Sequence, residues 1–411
     1  MRQPLASDRN NLDAYAARWL ELANYDLVRD YNPYYVPFDT LAEEYRARGR
    51  KLVSFSHYDY LGLAGHPDVA AAACQAIMTT GTGAGASRMV GGERAAHRAF
   101  EKDLAAFLGV EDAMALVSGY GTNVSLVGHM LGKRNLIIYD DLSHNSILAG
   151  SKLSRADAMP FEHNDLDSLE HLLRKHRGDY GRTLIVIEGL YSMDGDAPDL
   201  ERVLRLRDRH NAWLMIDEAH SIGVLGARGR GICEHFGIDP SRVDFLMGTL
   251  SKSFVSCGGF IGARKIVTEW LRYTLPGFMY SVGLAPPIVA SAHAALTTIN
   301  REPERVGRMR GNSAYFLKRA REAGLDVGPA LGHGIVPIIF DDVEETMAVS
   351  RRLLEAGFYV PPIVHVGVPK DKPRLRFFFS AKHEFDEIDA VIDAMGSILA
   401  ERMRAAPAAA A

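Results

Sequence analysis

The sequence predicts an α/β protein, with a large domain on a mostly parallel sheet and a smaller α+β domain behind it. Three observations carry this. Between residues 51 and 290, short apolar runs alternate with helix-like segments, the pattern of βαβ units. Those runs are nearly continuously apolar, as strands buried on both faces must be. From about residue 291 a long helical stretch gives way to short strands and helices.

In chain order, residues 1–50 are charged and aromatic and predict an N-terminal helical arm. Leu12, Tyr15, Leu20 and Leu22 recur at helical spacing within 12–25, an amphipathic face expected to pack on the body or on a second subunit. The large domain, 51–290, has strands expected at 113–117, 136–139, 184–187 and 214–216, and helices at 95–108 and 165–176. The small domain, 291–411, opens with a helix expected from 291 to about 321. Strands follow at 336–340, 359–360 and 375–379, then a closing helix at 386–403. The Ala-rich tail from 405 is low in complexity and expected to fray.

The chain has 411 residues, 47% hydrophobic and 24% charged, enough apolar material for a large core. A net charge of −4 offers no basic footprint for nucleic acid. No apolar stretch reaches membrane-spanning length, and Met1-Arg2-Gln3-Pro4 runs on into polar residues rather than a signal peptide. Cys74, Cys233 and Cys257 are odd in number and widely spaced, which predicts a reducing cytoplasm rather than a disulfide framework.

The chemistry gathers where apolar runs end, the edge at which open α/β sheets bind ligands. One run ends in Asp217-Glu218-Ala219-His220, and another in Gly248-Thr249-Leu250-Ser251-Lys252-Ser253. A lone loop lysine is ordinarily a solvated charge; Lys252 is raised by its company. An acid, a histidine and a lysine flanked by hydroxyls suit pyridoxal phosphate (PLP). Lys252 would hold the cofactor as an imine, which needs an amine that loses its proton readily, as burial near cations arranges. Asp217, otherwise a helix-capping residue, would keep the pyridinium protonated so that the ring accepts electrons. His220 would reach the ring oxygen, and Thr249 and Ser251 the phosphate.

Ser118-Gly119-Tyr120-Gly121-Thr122-Asn123 is a Gly-rich strand-to-helix turn, whose N–H groups suit a phosphate. The other Gly-rich stretch, 81–92, holds neither a dinucleotide fingerprint nor a P-loop, which disfavours nicotinamide and ATP chemistry. His144, after another apolar run, is either a satisfied loop histidine or a flat partner for the ring. Arg374 and Arg376 share one face of a strand, as an exposed basic edge or as a grip for a carboxylate. His383 has no second ligand at useful spacing, so no metal site is expected.

Together the segment Glu188-Gly189-Leu190-Tyr191-Ser192-Met193-Asp194-Gly195-Asp196, the Asp217 to His220 tetrad, the Lys252 motif and Arg374-Leu375-Arg376 resemble, in order, the motifs of the α-oxoamine synthases, PLP enzymes of fold type I. The resemblance runs from about residue 40 to residue 400. It implies decarboxylative condensation of an amino acid with an acyl thioester, from acyl-CoA or acyl carrier protein. It assigns to Lys252 both the link to the cofactor and removal of the α-proton. His144 would stack on the ring, and Ser192 would join His220 at the phenolic oxygen. Gly119, Tyr120 and Thr249 would seat the cofactor. Ser281 would contact the phosphate from a neighbouring subunit, which implies a homodimer with shared active sites. Arg376 would bind the amino-acid carboxylate.

Substrate contacts are further expected from Asp59, in His57-Tyr58-Asp59-Tyr60-Leu61-Gly62, and from Arg88. Arg88 lies in Gly85-Ala86-Ser87-Arg88-Met89-Val90-Gly91, which looks closest to the serine palmitoyltransferase pattern and favours serine with a long-chain acyl group, as in sphingolipid biosynthesis. Residues 253–259 and 361–369 look more like branches fed by acyl carrier protein. Alanine- or glycine-using synthases of the 8-amino-7-oxononanoate, 2-amino-3-ketobutyrate or antibiotic-pathway kind are the alternative. An aminotransferase or a non-catalytic partner subunit is a remoter one. Asp59 stands where the family usually has Asn, and Val255 where many members have Gly.

Overall fold

The structure, a computed structural model, describes residues 11–22, 32–40, 45–47, 49–364, 368 and 371–405. The chain's first hairpin, β1 (Tyr45–Ala47) and β2 (Arg50–Ser54), is antiparallel. The main sheet then forms from β3 (Asp112–Leu116), β4 (Leu136–Asp140), β5 (Asp157–Phe161), β6 (Thr183–Glu188), β7 (Trp213–Asp217), β8 (Phe245–Thr249) and β9 (Gly259–Ala263). Its order is β3-β9-β8-β7-β6-β4-β5, with β9 antiparallel to both neighbours and every other pairing parallel.

The expected strands fall within a residue or two of those observed, because continuous apolar runs can only be satisfied inside a covered sheet. All of β6, Thr183 to Glu188, is buried. Helices cover it with apolar stripes such as Leu200, Val203, Leu204 and Leu206 of Leu200–Arg209. Since β6, β7 and β8 run parallel, their last residues, Glu188, Asp217 and Thr249, emerge at one edge.

A second sheet follows from β10 (Ile335–Ile339), β11 (Phe358–Tyr359), β12 (Pro362–Ile363) and β13 (Arg374–Phe378), in the order β10-β13-β12, while β11 instead pairs parallel with β2. The single helix expected from 291 to about 321 is in fact two, Pro286–Arg301 and Glu304–Glu322, separated at Glu302 and Pro303. Proline lacks the N–H and crowds the preceding turn, so the helix restarts there. The N-terminal helix Leu12–Leu22 forms, but its residues 12–21 are exposed rather than packed on the body of this chain. Residues 1–10, 23–31, 41–44, 48, 365–367, 369 and 406–411, on which the leader, arm, acyl-donor-loop and tail expectations partly fall, lie outside the described residues. No described helix is long and apolar enough to cross a membrane.

Candidate active site

The strand ends open into a cleft of about 350 Å³. Asp217, the last residue of β7, is 4% exposed. Its Oδ1 accepts from the Ala219 N–H at 2.9 Å and its Oδ2 from Asn123 Nδ2 at 2.7 Å. Asn123, on the helix Gly119–Met130, also donates to Ser146 Oγ at 2.9 Å. These donors hold the carboxylate in place at the cleft.

His220 is buried, and its Nδ1 lies 2.8 Å from the Tyr60 hydroxyl. Burial drives the ring's pKa well below its ordinary value, and the cations of Lys252 and Arg376 push the same way. A neutral ring engaged by Tyr60 at one nitrogen offers the other to a ligand. It also stacks on Phe378 at 6.0 Å between centroids. His144 caps the helix Asn145–Leu153, with Ser146 Oγ 2.6 Å from its Nδ1. Its backbone N–H donates to Glu188 Oε1 at 2.7 Å. Burial lowers its pKa too, against the pull of Asp217.

Lys252 follows β8 in a tight loop, its carbonyl accepting from the Val255 N–H at 2.8 Å. Val255 has φ +42°, a conformation strained for a β-branched residue. Lys252 Nζ stands 5.5 Å from the centroid of the Tyr58 ring. Burial brings the amine down to about 8, though Asp217 and Glu188 pull upward; Arg376 adds to the fall. Glu188 pairs in register with Asp217. Burial raises its carboxyl to about 8, with Asp217 adding to the rise.

Below the lysine, Ser118 caps the helix Gly119–Met130 by accepting from the Gly121 N–H at 3.0 Å. The helix start meets β8 so closely that a Cβ on Gly119 would lie 2.5 Å from Thr249 Oγ1. Thr249 Oγ1 is 2.8 Å from Ser251 Oγ. A helix N-terminus beside two hydroxyls is a donor set for a phosphate. At the far wall, Arg376 on β13 donates from Nη1 to the Ser192 carbonyl at 3.0 Å and reaches Met193 Sδ at 3.3 Å. Its Nε and the Asn123 Oδ1 are buried with no protein partner. A buried amine, an anchored carboxylate, a neutral imidazole, an anion cradle and a guanidinium whose Nε lacks a protein partner together fit PLP with an amino acid.

Lys252, Asp217, His220, His144, Gly119, Tyr120, Ser192, Thr249, Ser251 and Arg376 thus line one cleft. Asp59, Arg88 and Ser281 do not line it. Asp59 turns inward, its oxygens accepting from the Leu63 and Ala64 N–H groups at 2.6 and 3.1 Å, which closes its own turn. Arg88 is held by Glu93 and Glu101 over the Phe278 ring, a buried ion-pair cluster that occupies its guanidinium. Arg374, beside Arg376, pairs with Asp194 and donates to the Met193 carbonyl at 3.2 Å. His383 holds backbone groups of Ser380 and Ser54.

Sequence reasoning missed Tyr58 and Tyr60, and gave Asn123 and Glu188 no role. Asn123 had a signal, since it lies one helical turn beyond Gly119 and Tyr120. Tyr60 had none, because its partner is distant in sequence. His163, Asp194 and Asp196 bring ligand atoms within 4.8 Å of one another. Asp140 takes His163 Nδ1 at 2.8 Å and Arg374 takes Asp194, so the group closes as ion pairs.

The family model for class I and II aminotransferases matches residues 50–395. The chain is 35% identical over 379 residues to a serine palmitoyltransferase of Bacteroides ovatus, covering 91% of this chain and 95% of that protein. It is 39% identical over 354 residues to an 8-amino-7-oxononanoate synthase of Geobacter sulfurreducens, covering 86% and 90% respectively. The solved serine palmitoyltransferase of Sphingomonas wittichii superposes with a TM-score of 0.90 at 29% identity, covering 95% of this chain and 98% of that one. A family match over most of the chain, with two kinds of α-oxoamine synthase similar along nearly its whole length, makes this protein an α-oxoamine synthase, a PLP-dependent acyltransferase of the class I and II aminotransferase family.

Proposed function

We propose that the protein condenses serine with a long-chain acyl thioester, releasing carbon dioxide and giving an α-amino ketone. The observation that carries the reading is the placing of Lys252 and Arg376 in one cleft, a base and a carboxylate grip on a single small substrate. PLP, when bound, supplies an electron sink for the negative charge left at the amino acid's α-carbon.

The chain's residues do the rest. Lys252 would hold the cofactor covalently and, when free of it, take the α-proton on Nζ. An amine brought down to about 8 is a competent base near neutrality, where an ordinary lysine is not. Asp217, fixed by Asn123 and Ala219, would keep a proton on the ring nitrogen, and His220 and Ser192 would bind the ring oxygen. His144 would stack on the ring. Gly119, Tyr120, Thr249 and Ser251 would hold the phosphate, with Ser281 of a second copy completing it in a homodimer. Arg376 would orient the carboxylate until it is lost.

Serine is favoured by residues 85–91 and by the serine palmitoyltransferases among the relatives. A second reading, alanine with a shorter acyl chain, is favoured by the 8-amino-7-oxononanoate synthase similarity. The test is a screen of purified enzyme with Ser, Ala and Gly against acyl-CoA and acyl carrier protein donors, following carbon dioxide release. Serine is expected to give the highest kcat/KM. No product with serine, and product with alanine, would replace the first reading by the second.

A further inference from the structure

We propose that His163, outside the cleft, is a positioning residue for the amino-acid carboxylate site. The inference rests on Arg376 being the carboxylate grip. Both arginines of β13 hold one turn of the large domain: Arg374 pairs with Asp194 and the Met193 carbonyl, and Arg376 with the Ser192 carbonyl. That turn is tightly built. Gly195 adopts φ +69°, and a Cβ there would lie 2.4 Å from the Ile335 carbonyl oxygen of β10. The turn therefore cannot shift without moving both the second sheet and Arg376.

Three carboxylates converge beneath it: Asp140 from the end of β4, and Asp194 and Asp196 from the turn itself. His163 stands among them, its Nδ1 2.8 Å from Asp140 and its Nε2 3.5 Å from Asp194 and 3.4 Å from Asp196. Tyr191 packs edge-on against its ring at 4.6 Å, and Asn164 donates to Asp196 at 2.6 Å. Burial alone would lower the imidazole pKa, but the Asp140 and Asp196 contacts outweigh it and carry it to about 10. His163 is thus a fixed cation. With Arg374 it supplies the two positive charges that keep three acids together. Without it the turn holds two carboxylates facing a third across Arg374 alone, and the Ser192 carbonyl loses its fixed place under Arg376.

The test uses the holoenzyme with PLP bound. H163Q is expected to raise KM for the amino acid about tenfold, the size of one weakened charge-assisted contact, with kcat and the acyl-thioester KM little changed. D196N in the same chain removes one acid along with the cation. The double variant H163Q/D196N is therefore expected to recover most of the lost affinity, a coupling read in the amino-acid KM, whereas a merely structural pair would show it in melting temperature alone. An unchanged KM in H163Q would overturn the proposal. So would kcat, KM and melting temperature worsening together, with D196N adding to the damage. R376K, measured alongside, separates the two claims. If it leaves KM unchanged, the carboxylate reading itself fails; if it raises KM while H163Q does not, only the His163 proposal fails.

Discussion

The acidity of Lys252 can be measured directly. Burial brings its amine to about 8 from the ordinary 10.5. At pH 7 a lysine titrating at 10.5 is neutral in about one molecule in 3,000, whereas one titrating at 8 is neutral in about one in ten, a gain of roughly 300-fold in the reactive form. The perturbation is pH, applied to protein freed of PLP. The assay is the rate of acylation of Lys252 by a small neutral reagent, resolved by peptide mass spectrometry, with exposed Lys265 as the reagent control. Because the neutral form grows as pH rises, the Lys252 rate should climb about tenfold per unit and level off near pH 8. R376Q removes a cation that disfavours the ammonium, so the bend should move up; D217N removes an anion that favours it, so the bend should move down. A Lys252 rate still climbing tenfold per unit beyond about pH 9.5 would refute the reasoning, since that is the behaviour of an unperturbed amine.

G119A places a methyl 2.5 Å from Thr249 Oγ1 and 2.8 Å from its Cβ. Forcing these apart costs about 1–3 kcal/mol, so PLP affinity in a cofactor titration should fall roughly 5- to 150-fold while circular dichroism is unchanged. E188Q keeps a neutral side chain and an acceptor for the His144 N–H, so its kcat/KM at pH 7 should stay within about threefold of wild type, while E188A, which removes the acceptor, should lose about tenfold. Glu188 has its folded pKa raised to about 8 from 4.5, so wild-type stability falls as pH rises through that window, and E188Q should gain in melting temperature relative to wild type across it. At Val255, φ +42° predicts an order rather than a size. V255A keeps most of the strain and loses packing, so it should melt below wild type. V255G releases roughly 1–2 kcal/mol of strain against about 0.5–1 of glycine entropy, so it should melt above V255A.

What was legible in the sequence follows from where each residue sits. Asp217, Glu188, Thr249 and Lys252 each end an apolar run or follow one closely, and a parallel sheet brings such ends to one edge whatever the details of its loops. Arg376 was legible because a strand puts Arg374 and Arg376 on one face and the family resemblance singles out Arg376, although the partner that each holds was not. That depends on the turn at Ser192 to Asp196, which gives Arg374 a carboxylate and Arg376 a carbonyl. Arg88 misled for a related reason. Its charge was visible in a Gly-rich segment, but its partner Glu101 arrives from the following helix, and the pair buries the charge it was expected to offer. Asp59 is a similar case, an acid used up by two backbone N–H groups. Periodicity reports which face is apolar; it does not report which polar group is already satisfied.

The register of β6 on β7 sets the charge of the cleft. It places Glu188 beside Asp217, two carboxyls at neighbouring strand ends in a buried site. A second buried carboxyl beside the first adds to the cost of charging it, and this is part of the rise at Glu188. Asp217 has the Asn123 amide and the Ala219 N–H on its two oxygens. Glu188 is given the His144 N–H alone, and burial raises it to about 8. Glu188 therefore stays largely protonated at neutral pH and holds the His144 backbone. Lys252 is affected by the same arrangement. Burial lowers its amine, Asp217 and Glu188 both pull the other way, and Arg376 adds to the fall. The free amine at Lys252 thus rests on burial outweighing the two acids at the neighbouring strand ends.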